Sequence, residues 1–273
     1  MKRSYHSVSH NFKLAVVAIF FALTLQRTIE LFYFPDIEIM PDRVLLFLLF
    51  FIAVYLWAQE LRDYYCLQNL YNDLLKAHDD LKQSQVDTIS AIARIEEEKD
   101  ADTKGHSDRV AKIALAIADE MGLSEEEKGA LARAGILHDI GKIGIDDSIL
   151  NKIGKLTDDE WKVIKDHPRK AVEILEPLRF LAAERKIIMN HHERYNGSGY
   201  PAGRKGEDIG RTALILAVAD AFDAMNTKRP YRDALPRENI VSELKKARDT
   251  QLSARIVDLF LEILRKRPDL WEK

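Results

Sequence analysis

A chain of 273 residues with 47% hydrophobic side chains can bury one large core or two smaller ones, and its 31% charged side chains keep most of it against water. A net charge of -3 excludes sequence-independent binding to long nucleic acid, which needs a basic surface. The single cysteine, Cys66, excludes an intrachain disulfide.

Residues 1–60 carry two apolar runs. The first, 14–25, is continuous; Gln26, Arg27 and Glu30 interrupt it before Leu31, Phe32, Tyr33 and Phe34. The second, 44–58, is aromatic toward its end at Tyr55 and Trp57. A spanning helix needs about 20 apolar residues, a length both runs reach with their flanks, as 12–34 and 42–60. Lys2, Arg3 and Lys13 precede the pair and Arg62 follows it, whereas the loop carries Asp36, Glu38, Asp42 and only Arg43. That asymmetry predicts a two-helix transmembrane hairpin with both ends in the cytoplasm. A cleaved signal peptide fits less well, because no small-x-small site follows and the second run would remain. A buried soluble hairpin is the bland alternative.

Residues 61–99 contain no Pro or Gly and read as one long helix for signalling. Leu67, Leu70, Leu74, Ala77 and Leu81 step by three and four like a coiled-coil seam, and Ile89, Ile92 and Ile95 resume the stripe in a shifted register. A parallel homodimer is the simplest partner. The alternative is a helix packed on its own domain.

Residues 100–273 read as successive amphipathic helices. Val110, Ile113, Ile117 and Met121 mark a helix that stops at Gly122. Ser124 with Glu127 is a capping box for a helix ending near His138 and Asp139. Thr157 with Glu160 is another, leading to His167 with Pro168 beyond. Further helices are predicted over 179–192, 209–226, 237–247 and 253–266. No alternating strand pattern, internal repeat or low-complexity stretch occurs, so the predicted fold class is all-α.

The chemistry-bearing residues centre on His138-Asp139-Ile140-Gly141-Lys142. Imidazole and carboxylate together suit Mn, Fe or Zn better than Ca or Mg, and a lysine supplies a point charge for phosphate. On a helix Lys142 would share a face with His138. His106, His138, His167, His191 and His192 each fall on or at the end of a predicted helix. Adjacent side chains on a helix diverge by about 100°, so His191 and His192 suit two neighbouring metals better than one. Asp220 is a carboxylate in an otherwise apolar helix, and a buried carboxylate needs a partner charge or a metal. Singly, each is more often an ordinary hydrogen-bonded residue; six together favour a metal cluster.

These stretches, with His191-His192-Glu193, the loop Asn196-Gly197-Ser198-Gly199-Tyr200-Pro201, Asp220-Ala221-Phe222-Asp223-Ala224 and Arg229-Pro230-Tyr231-Arg232, resemble the HD-GYP family, a branch of the HD-domain metal phosphohydrolases. The match covers about residues 87–247, and its motifs are long and ordered. The resemblance implies a helical HD-domain bundle that hydrolyses cyclic di-GMP, a bacterial second messenger, to pGpG and often on to GMP. With the predicted hairpin, it places the chain at the bacterial inner membrane, its catalytic domain in the cytoplasm.

Carried over position by position, the resemblance makes His106, His138, Asp139, His167, His191, His192 and Asp220 the ligands of two divalent metals, Fe or Mn, with Asp139 bridging them. Lys142 would contact the scissile phosphate. Arg229 and Arg232 would hold phosphate or guanine, and Tyr200 lies in the Gly-Tyr-Pro loop, whose competing reading is a structural turn. Some relatives with three metals carry a glutamate four residues before the first histidine. Here that position is Asp102, one methylene shorter and equally suited to capping the next helix, so two or three metals stay open. The competing functions are a non-catalytic cyclic di-GMP receptor, a module that binds a signalling protein, and a hydrolase of another cyclic dinucleotide. Degenerate relatives lose a ligand histidine or the lysine; none is missing here.

Overall fold

Residues 20–26, 28, 41–99, 105–152, 154–228 and 233–271 are described by a computed structural model of the chain. Every regular element among them is helical, apart from an isolated bridge between Arg248 and Leu252. Contacts divide the chain into two units, Met1–Lys82 and Gln83–Lys273.

In the first unit, residues 20–26 are helical and α1 (Pro41–Lys99) begins. Among the described residues no helix is long and apolar enough to cross a membrane. The apolar run ends at Ala58, and Glu60, Arg62 and Asp63 follow at once. The expected transmembrane hairpin is therefore unsupported there, and most of its first half, 12–34, lies outside the described residues. Leu67, Leu70, Leu74 and Leu81 are 59% to 66% exposed, and Ala77 is exposed with them.

The second unit explains the change of register after Leu81. Ile89 and Ala93 are buried in the helical bundle and Ile92 packs against it, while Ile95 is exposed. Positions 89, 92 and 93 share one helical face. This end of α1 thus packs on its own domain, and Ile95 does not belong to the stripe expected from sequence.

The bundle proper runs through α2 (His106–Glu120), α3 (Glu125–Leu137), the short α4 (Asp147–Leu150), α5 (Asp158–Lys165), α6 (His167–Leu175), α7 (Ala182–Asn190), α8 (Arg211–Asn226), α9 (Arg237–Lys246) and α10 (Ala254–Lys266). Short 3-10 turns lie at Ile140–Gly144, Arg179–Leu181, Gly206–Ile209 and Pro268–Trp271. Both expected capping boxes form: Ser124 and Thr157 accept from the backbone N–H of Glu127 and Glu160, whose carboxylates reach back. Gly122 ends the α2 segment with φ +67°, a left-handed conformation that glycine adopts without a Cβ penalty.

α2 packs on α3 and α8, α10 closes over α2, and α7 lies against α3 and α6. A Cβ on Gly135 would stand 3.0 Å from the Ala111 Cα, so glycine lets α2 and α3 meet closely. α8 is the central element, with Leu216, Val218, Ala219 and Phe222 fully buried. Phe222 meets the rings of Phe260 and Trp271 edge-on at 5.0 and 5.1 Å.

Two expected helices differ. The segment from Thr157 breaks after Lys165, and Pro168 opens α6 rather than closing α5. Proline suits a first helical turn, where its missing N–H has no partner to lose. The helix expected over 179–192 starts as a 3-10 turn and ends at Asn190.

Candidate metal centre

Three histidines reach the same place by the same local device. His138 follows α3, His167 stands where α5 gives way to α6, and His191 follows α7. In each, Nδ1 lies within hydrogen-bond reach of the carbonyl oxygen three residues earlier: Gly135 at 2.8 Å, Ile164 at 2.8 Å and Ile188 at 2.6 Å. A carbonyl only accepts, so Nδ1 carries the proton and Nε2 presents a bare lone pair. All three Nε2 atoms are buried and have no hydrogen-bond partner. Each unpaired buried acceptor costs about 1–3 kcal/mol, a cost that a cation among them would remove. Backbone-anchored imidazoles are also how metal-binding histidines are usually oriented.

Asp139 stands between two groups of ligand atoms, one from His106, His138 and Asp139, the other from Asp139, His167, His191 and His192. Within each, the atoms lie within 4.8 Å of one another. The two Asp139 oxygens divide between them: Oδ2 is 3.5 Å from His138 Nε2 and Oδ1 is 3.5 Å from His167 Nε2. Asp220 Oδ1 lies 3.3 Å from His106 Nε2 and 4.0 Å from His138 Nε2. The donor set fits divalent metals with nitrogen and oxygen preference, and the centre can hold them.

Two local expectations are corrected. α3 stops at Leu137, so Lys142 lies not on a helix with His138 but on the Ile140–Gly144 turn. Its Nζ is 2.7 Å from Asp139 Oδ2. Likewise α7 stops before His191, and the rings of His191 and His192 lie 4.0 Å apart with a 40° tilt. Both therefore join the same group instead of diverging toward two.

Gly141 makes the junction possible. A Cβ there would fall 2.0 Å from the His167 carbonyl oxygen, so only glycine lets this turn seat against α6 and bring Asp139 to His167.

Three residues without an assigned role hold the centre in place. Asp223 is buried; its Oδ2 lies 2.7 Å from His106 Nδ1, and Arg109 donates to its two oxygens at 2.7 and 3.1 Å. Glu193, also buried, accepts from the backbone N–H of Ala202 at 2.7 Å and Arg204 at 3.0 Å. It thereby ties down the loop carrying Tyr200, whose own N–H donates to the His192 carbonyl at 3.2 Å. The Tyr200 ring lies 4.9 Å from that of His192. The available signal was spacing: Asp223 is three residues after Asp220, one helical face on. Asp102, Arg229 and Arg232 lie outside the described residues.

Electrostatics put most of this set in its ligating form. Burial pushes His191 far down, His167 down and His192 down to about 4. Burial alone would raise Asp139 and Asp220, but the Lys142 charge holds the first, and the hydrogen bond with His106 the second, well below the usual carboxylate range. His106 is the exception without metal: burial lowers it, yet Asp220 and Asp223 raise it to about 10. Tyr200 is raised by burial, then by Asp139 and Asp220, and stays protonated.

A cavity of about 680 Å³ opens beside His192, Asp220 and Tyr200, walled also by Trp161 and Lys165 of α5 and by Arg194. An adjoining cavity of about 480 Å³ shares Arg194, Ala221, Ala224, Gln251 and Leu252 with it.

Residues 90–256 match the family model described as an HD domain. The chain is 41% identical over 195 residues to the cyclic di-GMP phosphodiesterase response regulator RpfG of Xanthomonas campestris pv. campestris, covering 71% of this chain and 52% of that protein. It is 38% identical over 191 residues to a cyclic di-GMP phosphodiesterase of Thermotoga maritima, covering 68% and 51%. To 3'3'-cGAMP-specific phosphodiesterase 2 of Vibrio cholerae it is 37% identical over 185 residues, covering 67% and 35%. The chain thus spans about half the length of the first two and a third of the last. Among solved structures, the cyclic GMP-AMP specific phosphodiesterase of Vibrio cholerae shares the fold, with a TM-score of 0.55 at 18% identity over 68% of this chain and 50% of that one. The matched segment contains every residue of the two ligand groups, and the chain belongs to the HD-domain family.

Proposed function

We propose that this chain is a metal-dependent phosphodiesterase of the HD-GYP branch that hydrolyses cyclic di-GMP to pGpG, or through pGpG to GMP. One observation carries the reading: three buried, unpaired Nε2 lone pairs converge beside a carboxylate shared by two ligand groups. The relatives' names favour the substrate class, and the two more identical ones above are named for cyclic di-GMP.

In this reading His106, His138, Asp139 and Asp220 hold one divalent metal, and Asp139, His167, His191 and His192 hold a second, Fe or Mn. A third would need Asp102. Bound there, the pair supplies charge neutralisation for the phosphodiester and an acidified water. The protein's own residues do the rest. Asp139 and Asp220 stay ionised beside the histidines, and Asp223 orients His106. Lys142 keeps an ammonium at the edge of the cluster, where it stabilises charge on the phosphoryl oxygens. Tyr200 keeps its proton as a donor, and Arg229 and Arg232 hold phosphate or guanine. In the overall reaction water adds to phosphorus, the bond to the ribose 3′ oxygen breaks, and that oxygen leaves as a hydroxyl.

A second reading, hydrolysis of cyclic GMP-AMP, is favoured by the name of the Vibrio cholerae relative. A non-catalytic receptor is disfavoured by the intact histidine set and Lys142. Attachment to the bacterial inner membrane with a cytoplasmic catalytic domain rests on the basic flanks and acidic loop. A homodimer, or a signalling protein partner, rests on the exposed leucines of α1. The test is anaerobic purification with metal analysis, then chromatography of the products from cyclic di-GMP and cyclic GMP-AMP. Cleavage of cyclic di-GMP to pGpG or GMP supports the reading, and a metal-loaded protein that binds but never cleaves either nucleotide would refute it.

A further inference from the structure

None of the eight residues of α5 is buried, and its Trp161 is 47% exposed. A single exposed apolar side chain is ordinary. This one lines the cavity that also meets His192, Asp220 and Tyr200, and its ring makes no aromatic pair among the described residues. Lys165 follows four residues later, on the same helical face. It lines the same cavity, its Nζ 5.9 Å from the centre of the Tyr200 ring. α5 therefore offers an open π-face and a cation to a cavity of about 680 Å³, a volume suited to a whole small ligand. Tyr200 cannot supply that face as freely, because its ring already lies against His192.

We propose that Trp161 stacks on a nucleobase of the dinucleotide while Lys165 faces its phosphate backbone, making α5 the substrate-docking helix. The proposal rests on the phosphodiesterase reading and deepens it. Stacking reads the face of a base and not its edge, so it gives affinity without choosing between guanine and adenine.

The test uses the full chain, loaded with Mn. Binding of a phosphorothioate analogue of cyclic di-GMP is followed by tryptophan fluorescence and calorimetry. KM and kcat are measured with cyclic di-GMP and cyclic GMP-AMP. Trp161→Ala should weaken analogue binding and raise both KM values by the same factor, about 5- to 150-fold, with metal content unchanged and kcat near wild type. Trp161→Phe should recover most of the loss, and Lys165→Ala should reduce the dependence of binding on salt. A Trp161→Ala protein with wild-type KM and analogue affinity would overturn the proposal and leave the phosphodiesterase reading intact. So would a KM change confined to one nucleotide. A wild-type protein that cleaves neither nucleotide would overturn both.

Discussion

Replacing Asp223 by asparagine keeps the shape of the side chain and removes its charge. In the folded chain this carboxylate, 1% exposed, meets His106 Nδ1 at 2.7 Å and the Arg109 guanidinium at 2.7 and 3.1 Å. Two consequences follow. The charge-assisted bonds between Arg109 and this carboxylate are lost, which should lower the stability of the metal-free protein by about 1.5–3 kcal/mol. The asparagine amide can also turn its NH2 toward Nδ1, which would move the imidazole proton to Nε2 and spoil the atom that faces Asp220. Partners one shell out from a metal typically contribute about 10- to 100-fold in metal affinity, and that is the loss expected for Asp223→Asn. Urea titration of the metal-free protein gives the first quantity and anaerobic Mn titration by calorimetry gives the second. Wild-type metal affinity in a folded Asp223→Asn protein would refute the claim that Asp223 positions His106.

Lys142→Ala should keep its metals but lower kcat by about 10²- to 10³-fold, the scale of losing one positioned stabiliser of developing charge; unchanged turnover at full metal content would reject its role. Stability of the metal-free protein should fall toward both acid and base. The pKa of His192 is pushed down by burial to about 4, so its contribution is present above its ordinary 6.5 and is lost as pH falls from 6.5 through 4. His106 is raised to about 10 by Asp220 and Asp223 against the effect of burial, so its contribution is present below 6.5 and is lost as pH rises through 10. Urea midpoints across that range check both limbs. His192→Gln should make the acid limb shallower and His106→Gln the basic one, and unaltered limbs would show that these residues do not set them.

What the sequence disclosed was largely local. Ser124 with Glu127 and Thr157 with Glu160 are complete within four residues, and both boxes form as read. The five histidines fall on or at the ends of predicted helices and Asp220 interrupts an apolar one; the resemblance joined them with Asp139 into one ligand set, and the bundle brings them together. What escaped depends on packing between distant elements. Arg109 meets Asp223 across a separation of 114 residues, which no local pattern announces. The Gly141 contact exists only because α6 passes 2.0 Å from where a Cβ would stand. Pro168 reads equally as a stop or a start, and the backbone makes it a start. The isoleucines after Leu81 repeat at helical spacing, a period that cannot distinguish a second chain from the bundle on which Ile89 and Ala93 pack.

The central claim is that one carboxylate serves two metals, and metal counting after anaerobic purification tests it most directly. Wild type should carry at least two divalent metals per chain. Asp139→Ala should lose occupancy in both groups and all activity, because its two oxygens face His138 and His167 separately. His192→Ala should weaken only the group it shares with His167 and His191, leaving about one metal per chain. Full metal content in Asp139→Ala, or the same partial loss in both variants, would contradict a shared carboxylate.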